Sequence, residues 1–158
     1  MGDDPMDTKS SIQKLIHLSM QKLHIMKEKS QLIEDEKYFT QEESTAEVGA
    51  IDQIRNVLEE KLLTLDIEFL KFYGNVLERE GISRLSEIDT GEHPALADLK
   101  ATVTKIKDLE SNIEDSEASL TELRLEHQKT LGAKLMIKKQ GQRVAGAYQK
   151  QIKQRKNG

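Results

Sequence analysis

Three long segments of this chain place apolar residues at steps of three and four, which is the period of an amphipathic α-helix. The segments cover about residues 11–38, 46–79 and 95–131, and neither of the two prolines falls inside them. The stretches between them, at 40–45 and 81–93, are polar or contain glycine. Only 4% of the residues are aromatic, whereas Leu, Ile, Lys, Glu and Gln are plentiful, and this composition is typical of long helices. The sequence therefore predicts an all-α protein.

The second segment carries the most regular apolar row. Its members are Ile51, Leu58, Leu62, Leu65, Phe69, Phe72 and Val76, and they are flanked by Ile54, Leu70, Tyr73 and Leu77. A helix that is apolar over so wide an arc is expected to lie between two neighbours, with its aromatic residues in the core. Gly81 is expected to end this helix. Because short connections favour antiparallel neighbours, the chain is predicted to form an elongated antiparallel bundle of three long helices.

Charge divides the chain into two parts. After Glu126 there is no acidic residue, and the nine basic ones are Lys129, Lys134, Lys138, Lys139, Arg143, Lys150, Lys153, Arg155 and Lys156. Residues 1–126 hold the other 15 basic residues and all 28 acidic ones, which gives them a net charge of −13. The third helix should reach the end of the bundle near residues 123–126. We therefore predict a helical bundle over 1–126 and a basic amphipathic tail over 127–158, helical or partly disordered.

The tail also carries apolar residues, several of which fall on one helical face. Three glycines weaken it as a helix, and no helix of its own bundle remains to cover it. Such a segment is suited to folding on a partner, although a third helix that simply continues and frays explains the pattern equally well. The candidate partner-binding residues are Leu123, Leu131, Leu135, Ile137, Val144, Tyr148 and Ile152.

Residues for catalysis or for metal binding are few. The chain has no cysteine, which excludes disulfides, thiolate metal sites and a cysteine nucleophile. His17 and His24 are seven residues apart, beyond the four-residue spacing that lets two histidines of one helix share a metal. No nucleophile, phosphate-binding or dinucleotide motif occurs. We therefore expect no enzymatic activity and no cofactor, and the lack of a long apolar run predicts no membrane span.

The order of these segments resembles the FlgN-like family, the flagellar type III export chaperones for hook-filament junction proteins. The resemblance covers about residues 11–126. It is carried by the long first helix, by Glu59-Glu60-Lys61-Leu62-Leu63 in the second, by the link from Glu78 to Glu87, and by the third helix that starts at Pro94-Ala95-Leu96. Family members often continue with an apolar helical segment, whereas residues 134–139 of this chain are strongly basic.

The resemblance implies a cytoplasmic chaperone. Such a protein holds the C-terminal helical part of a secreted flagellar subunit unpolymerised and delivers it to a component of the export gate. Two other classes stay open on the residues alone. The chain could be a structural coiled-coil adaptor that oligomerises through its apolar seams, or its basic tail could bind nucleic acid or an anionic membrane. The acidic bundle argues against nucleic acid, because it would repel a long polyanion lying beside it.

Overall fold

The computed structural model describes residues 7–156, and their side chains except at 148, 149 and 151–156. It contains three long helices, α1 (Thr8–Gln41), α2 (Thr45–Glu80) and α3 (Ala95–Lys156), with a 3₁₀ turn at Leu85–Glu87 between the last two. No strand occurs over this described range. The predicted all-α class is therefore confirmed, and the three helices match the three periodic segments of the sequence.

The helix ends follow from local hydrogen bonds. Asp7 caps α1, because its Oδ1 atom accepts a hydrogen bond of 2.7 Å from the backbone N–H of Ser10. This bond lowers the pKa of Asp7 below its ordinary value. The helix α2 ends as predicted at Gly81, whose φ of 62° lies in the left-handed region that glycine adopts without strain. Pro94 precedes α3, where its missing N–H costs no helical hydrogen bond.

The helix α1 lies at the centre, with α2 and α3 each packed along it. The start of α1 is tied to the end of α2, because Thr8 Oγ1 donates a hydrogen bond of 2.5 Å to Glu80 Oε1. The helix α3 runs parallel to α1 and antiparallel to α2. Arg124 of α3 therefore meets Asp52 near the start of α2, at 3.1 Å. This is the register that an antiparallel bundle with short connections predicts.

Two apolar clusters fill the interior. The first lies at the end where α1 begins, and it consists of Ile12, Leu15, Val76, Ile88, Leu96 and Leu99. The second follows the middle of the bundle and consists of Met26, Ile33, Leu62, Ile106, Ile113 and Leu120. Phe69, Phe72 and Tyr73 pack against the first cluster as partly buried side chains, in agreement with their predicted place in the core.

The wide apolar arc of α2 is not fully covered. Ile54 and Leu70, which the sequence predicts to be flanking parts of the core, are exposed. The physical reason is that the backbones of α2 and α3 stay farther apart than those of α2 and α1, so that side chains such as Arg55 and Glu117 bridge α2 and α3. The helix α2 therefore has both α1 and α3 as neighbours, as the sequence predicts, but part of its apolar surface faces solvent.

Candidate functional site

The helix α3 continues well beyond the end of the bundle. Among the described side chains, its last ion pair with the bundle joins Lys134 Nζ to Glu43 Oε1 at 3.3 Å, beside the turn between α1 and α2. From residue 135 to 147 every side chain is exposed. We call residues 135–156 the C-terminal extension. Its 22 residues form a helix about 33 Å long, at about 1.5 Å per residue.

The structure places two of the predicted partner-binding residues against the bundle itself. Leu123 is partly buried. Leu131 lines a cavity of about 240 Å³ together with Phe39 and Val48, at the turn between α1 and α2. Contacts within the chain therefore continue about eight residues beyond Glu126, to Lys134. These two leucines lie at the root of the extension, where Leu131 still exposes 42% of its surface.

Three other predicted residues are exposed on the extension. Leu135, Ile137 and Val144 expose 58%, 69% and 70% of their surface. Ile137 and Val144 are seven residues apart and share one face, whereas Leu135 lies on nearly the opposite side, because two residues advance by about 200° around a helix. The side chains of Tyr148 and Ile152 lie outside the described residues. The extension thus offers an apolar face beside several lysines.

The glycines of the extension and its root have no close packing partner. A Cβ atom built at Gly132, Gly141 or Gly146 would meet no heavy atom within 4 Å. These glycines therefore do not serve a close approach between helices. Their effect is to weaken the helix by up to about 1 kcal/mol each relative to alanine. A helix of low intrinsic stability can adapt its shape to a partner at little energetic cost.

A second apolar surface lies on the opposite side of the molecule from α3. We call it the α1/α2 groove; it has a volume of about 810 Å³ and is lined by Met20, Ile25, Val57 and Leu65 beside His17 and His24. Met20 and Val57 are exposed. This groove does not follow from the regular apolar rows of the sequence, because Met20 and Val57 stand outside them. Their isolated apolar character within polar helix faces is the signal that could have indicated it.

A buried charged cluster, which the sequence patterns do not indicate, lies near the other end of the bundle. The Glu36 carboxylate of α1 is fully buried. It accepts hydrogen bonds from Arg55 Nη1 of α2 at 2.8 Å and from Arg124 Nη2 of α3 at 2.5 Å. Arg55 also contacts Glu117 of α3 at 2.7 Å. One carboxylate thus joins all three helices, which fixes their relative register.

Among the described residues, no group of three or more His, Asp or Glu side chains is arranged to hold a metal ion. Within the same range, no helix has the length and apolar character needed to cross a membrane. The surfaces that stand out are therefore the extension and the grooves between helices.

The extension should be dispensable for folding. A chain that ends at Lys134 should have a free energy of unfolding within about 1 kcal/mol of the full chain, because the side chains it lacks are exposed where described. A chain that ends at Glu126 should lose about 1–2 kcal/mol more, since it lacks His127 and Leu131. Urea denaturation followed by circular dichroism measures both values. Loss of cooperative unfolding in the longer of the two would show that the extension belongs to the core.

Comparison with known proteins gives no relative for this chain: no family model, curated protein or solved structure matches it.

Proposed function

We propose that this protein is a non-catalytic chaperone that binds an amphipathic helix of a client through its C-terminal extension. The observation that carries the proposal is the exposure of Leu135, Ile137 and Val144 on a helix that extends beyond its own bundle. Burial of a large apolar side chain against a partner contributes about 1.5–3 kcal/mol. Ile137 and Val144 share one face, so their burial together contributes about 3–6 kcal/mol toward binding a partner helix.

The resemblance noted in the sequence supports a more specific assignment. In this proposal the protein acts in the cytoplasm as a flagellar type III export chaperone of the FlgN-like kind. Its client is the C-terminal helical segment of a hook-filament junction protein, which it keeps unpolymerised and passes to a component of the export gate. The elongated helical bundle is consistent with this role, because it leaves the binding helix accessible along its length.

The test uses a fluorescent peptide copied from the C-terminal helical segment of a hook-filament junction protein of the same genome. The double variant Ile137→Asp/Val144→Asp should bind it at least about 100-fold more weakly than the unaltered chain, because two apolar contacts are replaced by buried charges. Fluorescence anisotropy measures the dissociation constant. Thermal denaturation should give nearly the same melting temperature for both proteins, since both side chains are exposed.

A matched control tests whether the client peptide binds the extension or the α1/α2 groove. The double variant Met20→Asp/Val57→Asp introduces the same two charges at exposed apolar positions of that groove. It should bind the peptide as tightly as the unaltered chain. If this variant loses binding while the extension variant keeps it, the client site lies in the groove and the proposal is wrong.

The salt dependence of peptide binding distinguishes binding by apolar contacts from binding by attraction between charges. Exposed ion pairs contribute only about 0–1 kcal/mol each, so raised salt should slow association more than it weakens the complex. Binding that survives Ile137→Asp/Val144→Asp but is lost at moderate salt would contradict the proposal. It would favour a basic helix that binds polyanions.

A further inference from the structure

The charge of α3 changes sign within one continuous helix. From residue 108 to 126 the helix carries seven carboxylates and one basic side chain, and from 127 to 147 it carries five basic side chains and no carboxylate. We call these parts the acidic segment and the basic segment. Two such helices attract each other when they run antiparallel, because the acidic segment of each then lies opposite the basic segment of the other. A parallel pair places like charges side by side.

Two large apolar side chains mark one exposed face along both segments. Leu125 of the acidic segment and Met136 of the basic segment expose 52% and 64% of their surface. They are 11 residues apart and share one side of the helix, because three turns take about 10.8 residues. Both lie about 140–160° around the helix from Leu120, which is buried in the second cluster. This face, which we call the outer face of α3, is therefore turned away from the bundle.

Four charged side chains on or beside the outer face are exposed, and within the described part of the chain none of them forms an ion pair. They are Glu122 and Glu126 in the acidic segment and Lys139 and Arg143 in the basic segment. Glu117, by contrast, is held by Arg55 and Lys29 between the helices of its own bundle. The four side chains of the outer face are thus the ones that an approaching helix can contact.

The two apolar residues set the register of an antiparallel pair. If Leu125 of one helix packs against Met136 of the other, the same contact forms a second time about a twofold axis midway between them. Glu122 precedes Leu125 by three residues and Lys139 follows Met136 by three, so these opposite charges come level across the contact. The register that pairs the apolar side chains therefore pairs the charges as well.

The bundles leave room for this arrangement. In this register residues 114–126 of each helix lie opposite residues 135–147 of the other, so every side chain that the contact needs is a described one. Because contacts with the own bundle end at Lys134, the two bundles overlap along the pair only between residues 127 and 134. There they lie on opposite sides of the pair, since the outer face is turned away from each bundle.

We propose that this chain forms a symmetric dimer in which the outer faces of two α3 helices pack antiparallel, with Leu125 of each copy against Met136 of the other. The contact runs from residue 114 to 147, which is about 50 Å at about 1.5 Å per residue. The proposal goes beyond client binding and does not depend on it. Ile137 and Val144 lie about 100° and 80° around the helix from Met136, so they stay accessible beside the contact.

Sedimentation equilibrium of the full chain, without any client, tests the dimer. Leu125→Asp/Met136→Asp should raise the dimer dissociation constant by about 100-fold or more, because apolar contacts are replaced by charges on both copies. Met20→Asp/Val57→Asp places the same charges at exposed apolar positions of the α1/α2 groove and should leave the constant unchanged. Circular dichroism should show unchanged helix content in both variants, since all four side chains are exposed.

Two outcomes of this experiment contradict the proposal. An unaltered chain that stays monomeric at about 1 mM would show that the outer faces do not associate. A Leu125→Asp/Met136→Asp chain that dimerises as tightly as the unaltered one would show that the copies associate through another surface.

Charge exchange tests the pairing of the two segments. Glu122→Lys/Glu126→Lys and Lys139→Glu/Arg143→Glu should each raise the dimer dissociation constant by about 10-fold or more, because like charges then face each other in both halves of the contact. Mixing the two variants should restore tight association, since the reversed acidic segment meets the reversed basic segment and the unaltered segments meet each other. A mixture that associates as weakly as the separate variants would mean that the segments do not pair.

Disulfide crosslinking tests the direction and the register of the helices. The chain has no cysteine, so Leu125→Cys and Met136→Cys each introduce a single thiol. A mixture of the two variants should form a disulfide-linked dimer under mild oxidation. Either variant alone should form at least about ten times less, because its two thiols are then 11 residues, or about 16 Å, apart along the pair, beyond the reach of a disulfide. Efficient crosslinking of Leu125→Cys alone would show a parallel pair and overturn the proposal.

Discussion

Replacing Arg55 with leucine is expected to lower the free energy of unfolding by about 3–5 kcal/mol near neutral pH, because it leaves a buried carboxylate without one of its two partners. The carboxylate is that of Glu36, which is fully buried. Arg55 is the more buried of its two guanidinium partners, with 16% of its side chain exposed against 41% for Arg124. Urea denaturation at constant salt measures the change.

The loss should also depend on pH. Burial raises the pKa of Glu36 above its ordinary value of 4.5, and the Asp52 carboxylate raises it further, whereas the guanidinium groups of Arg124 and Arg55 lower it. The folded chain thus binds a proton at Glu36 more tightly than the unfolded chain does. The contribution of this group to stability therefore decreases as the pH rises from 4.5 through the raised pKa.

Removing Arg55 raises the pKa of Glu36 further and widens this pH range. The free energy of unfolding that Arg55→Leu loses relative to the unaltered chain should consequently be larger at about pH 8 than at about pH 5, where Glu36 more readily takes up a proton. An equal loss of unfolding free energy at both pH values would show that Glu36 does not titrate in this range. The loss would then come from packing alone.

Two further variants serve as controls for this cluster. The double variant Glu36→Leu/Arg55→Leu removes the carboxylate together with its partner and should recover most of the lost stability, since Arg124 keeps Asp52 and Glu117 keeps Lys29. Arg143→Leu, on the exposed extension, should change the free energy of unfolding by less than about 0.5 kcal/mol. A double variant no more stable than Arg55→Leu would mean that the ion pair is not the source of the effect.

This cluster marks a limit of what the sequence can predict. Apolar periodicity and the stop at Gly81 suffice to predict three helices, the approximate ends of the first two and the antiparallel register. The burial of Glu36 does not follow from such patterns, because its two arginine partners are 19 and 88 residues away along the chain. Only the packing of three helices brings these side chains together, and in sequence Glu36 resembles any other charged residue of a solvated helix face.

The C-terminal extension could also be predicted only in part from the sequence. The charge change after Glu126 predicts where α3 leaves the bundle to within about eight residues. It does not predict that the helix continues unbroken to Lys156. Local sequence leaves a continuous helix and a disordered tail open, because the three glycines lower helix stability while the leucines, lysines and glutamines around them raise it.

Leu15→Ala should lower the free energy of unfolding by about 2–5 kcal/mol, whereas Leu70→Ala should change it by less than about 0.5 kcal/mol. Both leucines lie in or beside the apolar rows of long helices, so the sequence pattern alone does not distinguish them. The structure gives Leu15 no exposed surface, among Ile12, Val76 and Leu99 of the first cluster, while Leu70 is 66% exposed on α2. Removing the Leu15 side chain leaves a cavity where three helices meet, and removing that of Leu70 exposes only a little more helix.

Urea denaturation of the two alanine variants thus tests directly whether the apolar surface of α2 around Leu70 is exposed in solution. Comparable losses from both would show that Leu70 is covered in solution. If the Leu70→Ala loss then disappears on dilution, the cover is a second copy, because a dimer contact contributes less to stability as the protein concentration falls. A Leu70→Ala loss that is independent of concentration would instead mean that another part of the same chain covers Leu70, contrary to its exposure in the structure.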